Sequence, residues 1–157
     1  MIATTKELEQ VRRNCRALVR RRARAAGALA ALPLPGIEFA ADLLLLRDVI
    51  PAINRRFGLA PEQIDNLDTP AKIVMHRLLQ RLGVRFAGKV VTVEMIVSAV
   101  SSFGASLATE ALAKYVPVVG AVAARVIAYE VFKRIADKHI DECTRIAREM
   151  LTARAAR

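Results

Sequence analysis

Few residues in this chain have the types and spacing that chemistry requires. Gly83, Gly88 and Lys89 in "GVRFAGKV" satisfy G-x-x-x-x-G-K, the spacing with which a glycine-rich loop cradles phosphates. Such a loop also needs a strand before it and a Ser or Thr after the lysine to hold magnesium. Here Val90 takes that position and the preceding residues have a helical pattern, so the segment reads as an interhelix loop with a solvated lysine. His139 and Cys143 lie one helical turn apart and supply two of the four ligands that zinc takes, which favours a packed seam over a metal site. His76, beside Arg77 and Gln80, reads as solvent-exposed. Asp42 and Glu94 lie within or beside apolar runs, where a buried carboxylate needs a cation, and Arg22 falls in an apolar seam as the natural partner. No nucleophile or metal set accompanies these acids, so they read as a structural ion pair. The sequence therefore points to no catalytic residue, no metal and no cofactor, and the chain reads as non-enzymatic.

The remaining signal is charge. Of the net +10, most comes from the stretch between Lys6 and Arg24, where eight basic residues face two acids. On a helix, Arg12, Arg13, Arg16, Arg20 and Arg24 fall within about 120° of one another, away from the apolar seam. Glu9 is the one acid expected on that face. Like charges three and four residues apart destabilise an isolated helix by roughly 0.2 to 0.5 kcal/mol per pair, which an external anion would relieve. The plainest reading is a solvated face that aids solubility. Among binding readings an anionic lipid surface comes first, an acidic protein partner second and nucleic acid last. Nucleic acid ranks last because the stretch has no aromatic residues for stacking and no recognition motif.

The elements that carry these residues are helices punctuated by proline and glycine. Thr4 and Glu7 have capping-box spacing, which starts a first helix near Thr5 and runs it to residue 32, with a seam of Leu8, Val11, Cys15, Leu18, Ala25, Leu29 and Leu32. The second helix, 36–57, carries Phe39, Leu43, Leu46, Ile50, Ile53 and Phe57, six side chains within an arc of about 80°, with Pro51 inside it as a source of a kink. Pro61 and Thr69–Pro70 begin two further helices, and Gly83 ends the second of these. Residues 92–114 are rich in β-branched side chains, yet Val93, Ile96, Val97 and Val100 line one helical face, so a helix is expected with Ser98, Ser101 and Ser102 opposite. Its longest uncharged run, Met95 to Thr109, would extend only about 22 Å against a hydrocarbon core of about 30 Å. The last helix, 118–154, has its clearest seam at Phe132, Ala136, His139, Cys143, Ile146 and Met150.

"LPLPG" at 32–36 and "VPVVG" at 116–120 each join two long apolar helices, Pro33 corresponding to Pro117 and Gly36 to Gly120. Proline stops the incoming helix and glycine permits the reversal, which makes two close helical hairpins. Together with "FAADLLLL", "FGLAPEQI" and "KYVPVVGAVAA", this pattern resembles the helical domain that follows the GTPase domain in immunity-related GTPases. It is also similar to the EcsC-like hydrophobic helical proteins of bacteria. The resemblance covers residues 25 to 150, and implies an all-helical fold with a membrane-associated or GTPase-associated accessory role. The nucleotide-binding domain of such GTPases has no counterpart in these residues.

A chain of 157 residues fits one domain, 1–157, and its helix-favouring mix of Ala, Leu, Val and Arg makes it all-α: a bundle of about six helices built from two Pro/Gly-turned hairpins. Cys15 and Cys143 fit no CxxC pattern and read as reduced core thiols of a cytosolic protein. The Arg-rich start followed by "AAGALAALPLPG" has the outline of a targeting peptide, but it contains Gly and flows into a patterned helix, so it is expected to remain part of the fold. The expectation is a cytoplasmic, membrane-peripheral module that binds an anionic membrane surface or an acidic protein. The alternative is a delivered effector that inserts an apolar hairpin into a membrane.

Overall fold

Among the described residues the helical seams produce six helical segments. A computed structural model describes the backbone of residues 2–29, 37–102 and 121–156, and the side chains of residues 2–24, 45–102 and 129–156. In chain order the elements are α1 (Thr5–Leu29), α2 (Ile37–Phe57), α3 (Pro61–Asp65), α4 (Thr69–Leu82), α5 over 93–102, and α6 (Ala121–Ala155). The described residues contain no strand, and the elements pack as a helical bundle. The expected turn residues Pro33, Gly36, Pro117 and Gly120 lie outside the described residues, as do the side chains of Phe39, Asp42 and Leu43.

Local chemistry sets the ends. The Thr4 hydroxyl accepts the Glu7 backbone N–H at 3.1 Å, and the Glu7 carboxylate reaches back to the Ala3 N–H at 2.8 Å, a capping box displaced by one residue. Helix α2 continues through Pro51 to Phe57, and the Leu59 N–H then returns to the Asn54 carbonyl at 2.8 Å. Asp68, one residue earlier than expected, takes the N-cap position of α4, with Thr69 and Pro70 in its first turn.

Helices α1, α2 and α6 form the centre, packing pairwise against one another; α4 rests on α6, and α3 on α4. The α6 seam is buried at all six expected positions, and Leu46, Ile50, Ile53 and Phe57 of α2 are buried with it. Removing each of the Leu, Ile, Phe and Met side chains among them from water contributes roughly 1.5 to 3 kcal/mol, which is why these three helices define the fold.

Two seams are rotated from their expected positions. In α1 the buried stripe is Leu8, Cys15, Val19 and Ala23, whereas Val11 and Leu18 are half-buried and Arg22 is exposed. In α5, Ile96 and Ala99 are buried, while Val93 and Val97 are 45% and 37% exposed. The expected ion pair of Arg22 with Glu94 does not form: both are exposed, and the Glu94 carboxyl is held below its usual value by its own backbone N–H and the Thr92 hydroxyl.

The segment between α4 and α5 is a plug against the bundle. Val84, Phe86 and Ala87 are buried, and the Gly88 N–H donates to the Leu59 carbonyl at 3.0 Å. Gly83 and Gly88 both have left-handed backbone, with φ of 56° and 71°. A Cβ at Gly83 would meet nothing within 4 Å, whereas one at Gly88 would lie 2.6 Å from Leu79 Cδ1 and 3.1 Å from Ile64 Cδ1. Gly83→Ala should therefore cost about 1 kcal/mol through φ alone, and Gly88→Ala distinctly more. Urea melts of the two variants check that order.

Candidate functional site

Helix α1 presents its arginines in two groups. Arg12 and Arg16, on consecutive turns, reach across to α6, where their Nη2 atoms lie 3.2 and 3.1 Å from a single oxygen, Oδ1 of Asp141. Arg12 also lies 3.7 Å from Glu9, and Glu9 lies 3.6 Å from Arg148 of α6. The pairs Arg16–Asp141 and Glu9–Arg148 show that α1 and α6 run antiparallel. Glu9 is thus not the only acid on the arginine face, because Asp141 enters it from a helix 125 residues along the chain.

Lys6, Arg13, Arg20 and Arg24 form the second group. They are exposed, fall within an arc of about 40° on the α1 wheel, and pair with no acid among the described residues. Among the described residues Arg13 meets only a neutral partner, donating to Gln10 Oε1 at 2.6 Å.

Sequence reasoning missed the contribution of α6. Arg134, Lys138, Asp141, Arg145 and Arg148 are all exposed and lie within about 80° on its wheel. Since Asp141 belongs to this stripe and touches Arg12 and Arg16, the basic faces of α1 and α6 adjoin along the helix seam. These five residues are spaced at helical intervals in the sequence, but with an acid among them and a lower density of arginine than α1. What the sequence could not supply is the antiparallel register that lays the two faces side by side.

Beneath this surface lies a buried polar cluster. The Asn54 side-chain amide of α2 donates to the Phe86 carbonyl at 3.1 Å, which fixes its orientation and leaves Oδ1 to accept from His139 Nε2 at 2.9 Å. The Cys143 thiol lies 3.8 Å from the same Oδ1, and Phe86 meets the His139 ring edge-on with centroids 5.5 Å apart. On the far side, Glu142 Oε2 lies 3.9 Å from His139 Nδ1. Burial alone would raise the Glu142 carboxyl, but the His139 ring, Lys138 and the Arg85 backbone N–H hold it below its usual value.

Cys, His and Asn together are the residue types of a thiol nucleophile and its base, but this geometry cannot perform that chemistry. The nitrogen nearest the thiol, Nε2 at 3.5 Å, is the one whose proton is committed to Asn54. Burial pushes the Cys143 thiol well above its ordinary value, with Glu142 and Cys15 adding to the effect, so the thiolate is disfavoured. Asn54, His139 and Cys143 are each at most 1% exposed. The cluster is a polar tie between α2, the plug and α6.

Gly83, Gly88 and Lys89 form no phosphate cradle, since Gly88 packs under Leu79 and Lys89 Nζ donates to the Val84 carbonyl at 3.3 Å. His76 is exposed, and no group of three or more His, Cys, Asp or Glu among the described residues is placed to hold a metal ion. Family models, curated proteins and solved structures offer no match to this chain.

Both thiols are buried and unpaired by disulfide, so iodoacetamide should label neither until the protein is unfolded. The raised Cys143 value also carries a sign. Its contribution to stability is full below the ordinary thiol value of 9.0 and is lost as pH rises beyond it, because only the unfolded chain releases the proton there. Urea melts should therefore show stability falling above that pH more steeply in the parent than in Cys143→Ala.

Proposed function

We propose that this chain is a non-enzymatic, cytosolic helical module that docks on an anionic membrane surface through the adjoining basic faces of α1 and α6. The observation that carries this reading is the exposed line of Lys6, Arg13, Arg20 and Arg24, which meets no acid among the described residues. The line extends about 27 Å along α1, so its cations can touch a flat surface together while the buried stripe of α1 stays in the core. No helix among the described residues is long and apolar enough to cross a membrane, which supports docking over spanning. The resemblance to GTPase-associated helical domains makes an accessory role beside a GTPase the natural cellular setting.

Each cation near an anionic bilayer contributes on the order of 1 kcal/mol, attenuated as salt screens it. Arg13, Arg20 and Arg24 replaced together by Gln should weaken binding to phosphatidylglycerol vesicles on the order of 100-fold at low salt. Helix content should be retained, since Gln is a good helix former. Vesicle co-sedimentation measures the loss, and parental binding by the triple variant would refute the reading. Vesicles loaded with dye should stay sealed; dye release would favour the inserting effector instead.

A further inference from the structure

The contact between Arg12, Arg16 and Asp141 is an unusual use of three charges. Two guanidinium groups converge on one carboxylate oxygen, Oδ1, at 3.2 and 3.1 Å, and both arginines and Asp141 retain exposure, with the Asp141 side chain 55% exposed. Nε and Nη2 of an arginine form one edge of the guanidinium plane, and a well-matched anion binds both. On Arg12 that edge is half used. Nη2 meets Asp141, while Nε is buried and has no hydrogen-bond partner among the described residues. A buried donor left unpaired is costly, and an anion with more acceptor oxygens than Asp141 brings would satisfy this one once Asp141 moves aside.

The charge count agrees. Arg12, Arg16 and Arg148 face Glu9 and Asp141 across the α1–α6 seam, which leaves this network positive with its own acids in place. Asp141 also sits within the basic stripe of α6, with Lys138 and Arg145 one turn to either side. A phosphate monoester carries three terminal oxygens and close to two negative charges near neutral pH. It can occupy Nε and Nη2 of Arg12 and Nη2 of Arg16 together, which one carboxylate oxygen does not.

We propose that Arg12 and Arg16 form a clamp for a terminal phosphate group, which Asp141 occupies in the free protein and yields when a phosphate monoester arrives. The use of this clamp at a membrane rests on the docking reading above; the clamp itself does not. In the absence of phosphate Asp141 keeps the two arginines paired, and diester headgroups, with one charge and fewer free oxygens, displace it poorly. The chemistry is shared by free phosphate compounds and by lipids with a terminal phosphate, such as phosphatidic acid.

Asp141→Asn tests the proposal, with Asp141→Ser as a second neutral variant should the first not be recovered folded. The readouts are melting temperature against inorganic phosphate, at ionic strength held constant with chloride, and binding to phosphatidic acid vesicles matched in charge to phosphatidylglycerol vesicles. The parent should gain in melting temperature in phosphate beyond chloride, and the neutral variant, which has no carboxylate to displace, should melt below the parent in chloride and gain more in phosphate, while Asp141→Glu responds like the parent. Adding Arg12→Gln and Arg16→Gln to the neutral variant should abolish the phosphate response. At matched charge the neutral variant should also bind phosphatidic acid more tightly than phosphatidylglycerol, because only the monoester has the free oxygens to fill the clamp. Equal phosphate responses in parent and neutral variant, or a response no greater than that to chloride, would overturn the clamp. A phosphate response without preference between the vesicles supports the clamp and assigns it to free phosphate compounds. A phosphate response with no binding to either vesicle leaves the clamp standing and removes the docking reading.

Discussion

The side-chain amide of Asn54 is the contact on which the arrangement depends. It is 1% exposed in the middle of an apolar core, and an amide buried there must have both ends satisfied. Its nitrogen is used by the Phe86 carbonyl and its oxygen by His139. Apolar contacts between α2 and α6 would tolerate sliding by a turn, because one aliphatic side chain can replace another. The amide does not, since any other register leaves a buried donor and acceptor without partners. Its backbone carbonyl is also engaged, receiving the Leu59 N–H that closes α2, so the end of the helix and the inter-element tie lie at one residue.

That tie has consequences at the surface. His139 and Asp141 are two residues apart on α6, so fixing the first against α2 fixes the direction of the second, outward and toward α1. Arg56 of α2 reaches the Asn14 carbonyl of α1 at 3.5 Å and lies against Cys15, whose thiol is raised by burial although that arginine opposes the shift. The three central helices thus hold one another in register through polar contacts placed among apolar ones. The basic faces of α1 and α6 adjoin as a result. Most of the surface ion pairs are worth little by themselves, at most about 1 kcal/mol each, so Asp141 is better understood through the arrangement of charge it creates than through stability.

Much of the architecture was legible in the sequence because helical periodicity, caps and breakers are local. Thr4 and Glu7 announced the start of α1, Gly83 the end of α4, and Phe132 through Met150 the inner face of α6. The failures came where tertiary contact decides between two plausible faces. In α1, Val11 and Val19 are equally apolar, and only the packing of α1 against α2 and α6 selects Val19 for the fully buried stripe. Arg22 looked like a buried partner for an acid because it fell on the wrong one of these two stripes. The arginine cluster could be seen, but its partition into Arg12 and Arg16 on one side and Arg13, Arg20 and Arg24 on the other could not, since Asp141 is distant in sequence. Asn54 carried no pattern at all: a single amide in an amphipathic helix reads as a surface residue until a partner is placed against it.

The dependence of the bundle on this amide is tested most directly by a double-mutant cycle between Asn54→Ala and His139→Ala, read from urea unfolding. Residues that share one buried hydrogen bond couple by about 0.5 to 3 kcal/mol, and the upper part of that range is expected here because Phe86 and Cys143 join the same oxygen and amide. Each single variant should lose most of what the double variant loses. If the two losses simply add, within about 0.5 kcal/mol, then Asn54 and His139 act independently and the amide does not set the register of the helices.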